Sequence, residues 1–476
     1  MLEKIALRIK QDFNESPDII IKKIETKKNK LLIIYNTSLT NSNNINEFIL
    51  EKITNLNIKI NSKNLNKHFS NIIPENNIQF VKSTNDLYTR INSGFTIIIF
   101  ETGNPIAIET KQDLSRGISE PLTESSISGP KDAFTENYQT NIGLVRKRIK
   151  TNHLTIKEKT IGKQSKTKVA VFYMENIIEE KLLKEVEKRL DTIDIDAILD
   201  STYIKEIFEK SQSAFPTIVT TERPDTASLA LLEGKICIMA ENSPYLLIIP
   251  SFFSDLFHAS EDNYQNFINV SFTRLIRYGA FLLAILLPAL HIAITTYDHE
   301  AIPVTLLINF ASQRENVPFP IIAEALGLTI VFEILRESDI RMPHLSGSAI
   351  SILGAIVLGD AAVAAGIVSP IMVIIIATSA IASLMFSNIG MVNAIRLWRI
   401  IFMLFAATAG LIGILFASII LIVHLSNLKS VTKPYLYPLI PLNKEFLKQV
   451  LIKKPITKDN KRMNILTNSN YTRSNL

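Results

Sequence analysis

Four carboxylates sit in or beside apolar runs in the second half of this chain: Glu324, Glu333, Glu337 and Asp360. An ionised carboxylate in hydrocarbon costs a few kcal/mol or more unless it faces water or a partner. Side chains placed this way serve ion passage, sensing or pairing between helices. Glu324 and Glu333 are nine residues apart, about half a turn out of phase, so they do not both face one pore. Glu333 and Glu337 are four apart and share a face, with Arg336 and Arg341 near enough in sequence to neutralise them. That group reads either as a charged helix end or as part of an ion path. Glu324 and Asp360 lie deeper, where an inter-helix or functional role is expected.

Small residues make a second pattern. Gly347, Ser351, Gly354, Ala361 and Ala365 form a near-continuous stripe. Such stripes let helices approach closely. Tight helix packing is the plainer reading and a pore wall the sharper one.

The elements that position these residues are apolar and long. Residues 279–296 predict a span kinked at Pro288, and residues 317–335, 345–368 and 370–386 predict three more. Residues 400–425 predict the strongest. Residues 301–312 are apolar but too short to cross, which suits a re-entrant or surface helix. Arg274 and Arg277 precede the first span, and Lys429, Lys433, Lys444, Lys448, Lys453 and Lys454 follow the last. By the positive-inside rule both flanks are cytoplasmic, which demands an even number of crossings although five spans are clear. Just ahead of the first span, residues 251–277 carry Phe252, Phe253, Phe257, Tyr264 and Phe267. They suit an interfacial helix or a domain-packing segment.

The first half reads as water-soluble. In residues 1–115, KLLIIYN (30–36) and FTIIIFE (95–101) are strand-like, residues 105–110 follow a turn at 102–104, and residues 43–55 have helical spacing. A polar linker, 113–128, leads to a second unit at about 129–250. There Pro130 suits a first helical position, and Phe134, Tyr138, Ile142, Val145 and Ile149 make one apolar stripe. Arg146, Lys147, Arg148 and Lys150 crowd its end, as a solvated helix end or a phosphate-facing patch. A strand at 168–174, a helix at 178–190 and a hairpin over 235–250 complete the unit. The expected architecture is thus an α/β soluble region of two small domains, a linker helix at 251–277, an α-helical multi-span membrane domain at 278–425 and a basic tail at 426–476.

Composition narrows the function. The 476 residues are 47% hydrophobic and carry a formal charge of +6, too modest to argue for nucleic acid. Cys237 is the only cysteine, so no intrachain disulfide forms. Residues 1–10 have no apolar core, so no cleavable signal peptide is expected. The seven histidines lack metal spacing, and no P-loop, GxGxxG, HExxH or GxSxG stands in the soluble part. Neither an enzyme nor a cofactor is expected. A secondary transporter is disfavoured, because no internal repeat shows across 279–425.

Several stretches together resemble the A subunit of GerA-type spore nutrient germinant receptors. They are SEPLTESSISGPKDAFTENYQTNIGLVRKRIK (119–150), TERPD (221–225), ENSPYLLIIPSFF (241–253), RLIRYGAFLLAILLPALHIA (274–293), VPFPIIAEALGLTIVFEILRESDIRMP (317–343) and ISILGAIVLGDAAVAAGIVSP (350–370). The motif positions are Gly129, Pro130, Lys131, Asn141, Arg146, Arg148, Arg223 and Pro224. Ser128 departs from a basic residue expected in the family, and residues 386–388 lack an expected proline. The resemblance implies a multi-pass protein of the spore inner membrane with its soluble domains on the core side. It implies a transporter-like B subunit and a lipoprotein C subunit as partners. It also implies self-association into a homo-oligomer that passes monovalent cations when nutrient binds. A sister protein of the dipicolinate-release machinery shares this layout.

Overall fold

The run KLLIIYN becomes β2, Lys30–Asn36, and is buried at every residue after Lys30. A strand presents alternate residues to opposite faces. Here both faces are apolar, so both must be covered. Leu31, Ile33 and Tyr35 meet Ile45, Ile49 and Ile53 of the helical stretch that includes Ile45–Leu50 and Glu51–Thr54. Leu32 and Ile34 pack in one cluster with Ile9 and Phe13 and with Leu87 and Ile91. Those last residues belong to α1, Leu2–Asp12, with the loop after it, and to α2, Thr84–Ile91. With β1 (Ile19–Glu25), β3 (Ile78–Phe80), β4 (Phe95–Phe100) and β5 (Ile106–Glu109) the sheet is antiparallel throughout, in the order β1-β2-β4-β5-β3. This computed structural model describes residues 2–26, 30–54, 78–101, 105–112, 121, 124, 126–209, 213–341, 359–467 and 470–473. The expected turn at 102–104 and most of the linker at 113–128 lie outside them.

The second sheet repeats the first. β6 (Leu154–Ile161), β7 (Thr167–Met174), β8 (Val219–Thr221), β9 (Ile236–Ala240) and β10 (Leu246–Ile249) run antiparallel in the order β6-β7-β9-β10-β8. Counted within each sheet, the two orders are identical. The helices match as well. α3 (Tyr138–Arg148), ahead of β6, and α6 (Pro224–Leu232), ahead of β9, cover one face. α4 (Glu180–Asp191) and α5 (Ser201–Phe208) cover the other. The helix expected to start at Pro130 begins instead at Tyr138, capped by Asn137 through its side chain to Thr140 N at 3.0 Å. Residues before the cap are tied to the residue just after β8, Phe134 N donating to Glu222 O at 2.7 Å.

The basic end of α3 is not a solvated run. Arg146 is fully buried and forks onto Asp18 of the first domain, Nε to Oδ2 at 2.9 Å and Nη2 to Oδ1 at 3.1 Å. Its remaining protons go to Leu154 O and Ser16 Oγ. Arg148 pairs with Asp132, while Lys147 and Lys150 are exposed.

Five α-helices follow ahead of the tail among the described residues. α7 spans Phe267–Thr296 with Pro288 inside it. α8, Val304–Gln313, buries none of its residues. α9 spans Ile321–Arg341 and α10 spans Pro370–Ser383. α11, Ile389–Asn427, corrects the single span expected over 400–425. Ala409 and Gly410 are non-helical, and beyond them the chain turns back. Trp398 and His424 come within 5.7 Å, and Gly413 abuts the carbonyl of Phe405, so α11 is two antiparallel arms. The turn needs glycine: Gly410 has φ +57, and a Cβ there would lie 2.4 Å from Asp298 Oδ2. That carboxylate accepts from Leu411 N at 2.8 Å and so caps the second arm.

The span expected over 345–368 lies mostly outside the described residues. Glu324 contacts Ser369, and Arg399 bridges Glu333 and Ser379, so α9 and α10 run parallel. After α11 the chain returns to the second sheet domain. Ser430 Oγ donates to Thr217 O at 2.5 Å, Tyr435 OH donates to Pro216 O at 2.9 Å, and Lys433 pairs with Glu179. The tail and the soluble domains therefore share one side of the helical bundle.

Candidate functional site

Residues 251–266 join the soluble region to α7, and they pack as a junction. Phe252 and Phe257 are buried, and Phe257 stacks on Tyr278 at 4.1 Å while meeting Phe281 and Phe386 edge-on. Tyr264 and Phe267 stay partly exposed. Arg274 and Arg277, read from sequence as flanking charge, are instead buried on one carboxylate. Arg277 holds Asp262 through Nη1 at 2.9 Å and Arg274 through Nε at 3.1 Å. Burial pushes the Asp262 carboxyl up, but the two guanidiniums outweigh it and hold it below its ordinary value. Beside it, burial and then Arg274 lower the His258 pKa to about 3, so this imidazole stays neutral. Lys453 of the tail also bonds the Asp262 and Gln265 carbonyls. Asp262 thus joins soluble region, first span and tail.

A second hub uses the motif residues. Arg223, fully buried, forks onto Asp225 at 3.1 and 3.0 Å. It also donates to Ser126 Oγ, Glu124 O and Pro130 O, which holds the linker against α6. Pro224 begins that helix. Tyr264 donates to Asp225 Oδ2 at 2.6 Å, and its ring lies 2.5 Å from where a Cβ on Gly129 would stand. Gly129 has φ +108, so glycine is needed there for conformation as well as for space. Asn141 is buried and accepts from Thr135 N at 2.8 Å, whereas Lys131 is exposed. Burial raises the Glu124 pKa to about 7, against the opposing bonds from Thr221 and Glu222 N.

In the membrane domain the carboxylates separate into two places. Glu324, in the first turn of α9, is 2% exposed. Arg314 pairs with its Oε1 at 2.9 Å, and Ser369 donates to its Oε2 through both N and Oγ at 3.0 Å. Ser369 is the cap of α10, so Glu324 ties the α8–α9 connection to the start of α10. Glu333 lies farther along α9 among three arginines. Arg396 pairs with Oε2, Arg399 reaches Oε1 at 3.4 Å, and Arg336 lies 3.5 Å from Oε2. Arg399 is 1% exposed and also donates to Ser379 Oγ at 3.1 Å, which donates to Ala284 O at 2.7 Å. One polar chain therefore crosses α9, the first arm of α11, α10 and α7.

Glu324 meets Arg314 and Ser369, whereas Glu333 meets Arg396 and Arg399, so the two carboxylates join separate contacts along α9. Glu337 is exposed on α9, and the Arg341 side chain lies outside the described residues. Asp360, Ala361 and Ala365 are exposed on the single chain. Gly347, Ser351 and Gly354 fall outside the description. The sequence reading missed Arg396 and Arg399, because RLWRI precedes the apolar run as an ordinary charged flank would. Their spacing of three, on one helix face ahead of Phe402 and Ala406, was the available signal.

The family model for the Bacillus/Clostridium GerA spore germination protein matches residues 7–465. The chain belongs to that family. Similar relatives include spore germination protein KA of Bacillus subtilis, 38% identical over 467 residues, covering 97% of this chain and 86% of the relative. Spore germination protein GerQA of Bacillus cereus is 34% identical over 450 residues, covering 94% and 89%. The N-terminal domain of the A subunit of the Bacillus megaterium spore germinant receptor GerK3 is a similar solved structure. It is 30% identical and covers 53% of this chain and 96% of that one, with a TM-score of 0.43. Membership of a germination family, rather than any missing motif, sets enzymatic activity aside for this GerA protein.

Proposed function

We propose that this GerA-family protein is the A subunit of a nutrient germinant receptor and that it forms the ion-conducting part of it. The observation carrying this reading is the Glu333 network. A half-buried carboxylate is neutralised by two arginines from one hairpin arm, and those arginines move with the arm. With Arg396 and Arg399 in place, the cluster's positive charge opposes cations. A shift of the arm that withdraws them leaves a carboxylate among apolar helices, which attracts a monovalent cation.

Asp262 supplies the mechanical link. It joins the soluble domains to α7 and the tail, so movement of the domains reaches the bundle. Asp360, exposed beside Ala361 and Ala365, supports assembly into a homo-oligomer, because a carboxylate facing lipid is costly. A transporter-like B subunit supplies nutrient binding and a lipoprotein C subunit completes the receptor. The soluble domains and tail, sharing one side, lie on the core side of the spore inner membrane.

The test is flux of monovalent cations in liposomes holding the full receptor, with and without nutrient. Nutrient-dependent flux that Arg399→Met makes constitutive supports the reading. No flux from a receptor that still binds nutrient sinks it.

A further inference from the structure

A cavity of about 310 Å³ opens where α7, the hairpin and the tail meet. Phe281 and Ile285 of α7, Phe402 and Leu421 of the hairpin, and Leu439 and Ile440 of the tail form its walls. Among the described residues no charged side chain lines it. Its one polar side chain, Ser418, spends its proton on Ile414 O of its own helix at 2.8 Å. A polar ligand would find no partner here, and its desolvation would go uncompensated.

The mouth shows what fills it. Leu282 and Ile422 stand at the opening, 54% and 57% exposed. They continue the outward apolar faces of α7 and of the hairpin's second arm. Along the hairpin's second arm, Leu415 and Ile419 extend the same kind of surface. The tail adds Leu439, Ile440 and Leu442, at 50%, 40% and 60% exposure. Side chains of this kind, clustered beside membrane helices, are favoured in the bilayer rather than in water.

We propose that an acyl chain of a bilayer phospholipid occupies this cavity, with the tail at 436–442 seated in the membrane interface. The lipid-facing surface runs into the cavity without a polar break, so the occupant is lipid. The site also touches the soluble–membrane junction. Phe253 lines it and lies 5.7 Å from Phe281, while Phe253 N donates to Tyr435 O at 2.9 Å.

The chain carries its own probe. Trp398 is the only tryptophan, is buried, and neighbours Phe402 at 6.4 Å. The full-length protein would be reconstituted in nanodiscs of phosphatidylcholine, either unmodified or brominated along the acyl chains. Brominated lipid should quench Trp398, and Ser418→Leu, which fills the cavity, should remove most of that loss. Leu439→Asp, which places a charge at the floor, should act in the same direction if Ser418→Leu does not fold. Equal quenching in wild type and both variants would show lipid only around the bundle and overturn the proposal. An unquenched wild type would also overturn it and point to a protein, such as a second copy, closing the cavity.

Discussion

Arg399 and Glu333 meet at 3.4 Å although they are 66 residues apart in sequence, and Arg399 is 1% exposed where they meet. Removing one member of a buried pair leaves the other uncompensated, at a typical cost of about 3–5 kcal/mol. Glu333→Leu should therefore lower the detergent-solubilised unfolding temperature sharply. Glu333→Leu with Arg399→Met should recover part of the loss, because the most buried guanidinium leaves with its carboxylate while Arg336 and Arg396 still lose theirs. A double variant as unstable as the single one would show that the pair is not what holds α9 to the hairpin.

Gly410 sets the hairpin tip. Gly410→Ala puts a Cβ 2.4 Å from Asp298 Oδ2 on a backbone at φ +57, so the expected cost is about 1–3 kcal/mol. Asp298→Ala removes only the cap on Leu411 N, worth about 1 kcal/mol. Thermal unfolding in one detergent compares the two, and Gly410→Ala should be the worse.

Glu324 and Glu337 should differ in sensitivity. Glu324 is buried with every oxygen engaged, whereas Glu337 is exposed. Glu324→Gln loses the ion pair to Arg314 and should slow germination or reduce accumulated protein. Glu337→Gln should be milder. Immunoblots beside germination rates decide it, and the opposite ranking at equal protein level would remove the clasp role of Glu324.

Arg146→Ala strands Asp18 in the contact between the two soluble domains. The expected loss is about 3–5 kcal/mol. Hydrogen exchange on the full-length protein should show β1 and β2 opening more readily, while the second sheet keeps its protection. Unchanged exchange across both sheets would mean that the bridge does not bind the domains together.

Glu124 makes the linker contact pH-dependent. Its pKa rises from 4.5 to about 7, so the fold favours its protonated form. The stabilisation is fully present below 4.5 and is lost as pH rises through 7. Exchange at residues 219–223 should therefore quicken from pH 5 to pH 8 beyond the intrinsic rate, and Glu124→Gln should flatten that trend. A wild type with no such trend would place Glu124 in a less confining environment.

Much of the fold was written locally. KLLIIYN is apolar at both alternating sets of positions, so it had to be a strand covered on two faces. The run beginning at Gly279 had to be a span, and the hairpin over 235–250 follows from its turn residues. Three features needed the folded chain. Residues 400–425 read as one apolar run because glycine is ordinary in membrane helices. The turn there is set by Asp298, which caps the second arm from outside that run. Arg146 read as a solvated helix end or a phosphate-facing patch, Arg274 and Arg277 read as flanking charge, and Arg399 went unread, because a sequence shows a guanidinium but not its acceptor. Asp18 lies 128 residues from Arg146, and Glu333 lies 66 from Arg399. The matching order of the two sheets was equally hidden, since strand neighbours are chosen by which apolar faces must be covered and not by adjacency along the chain.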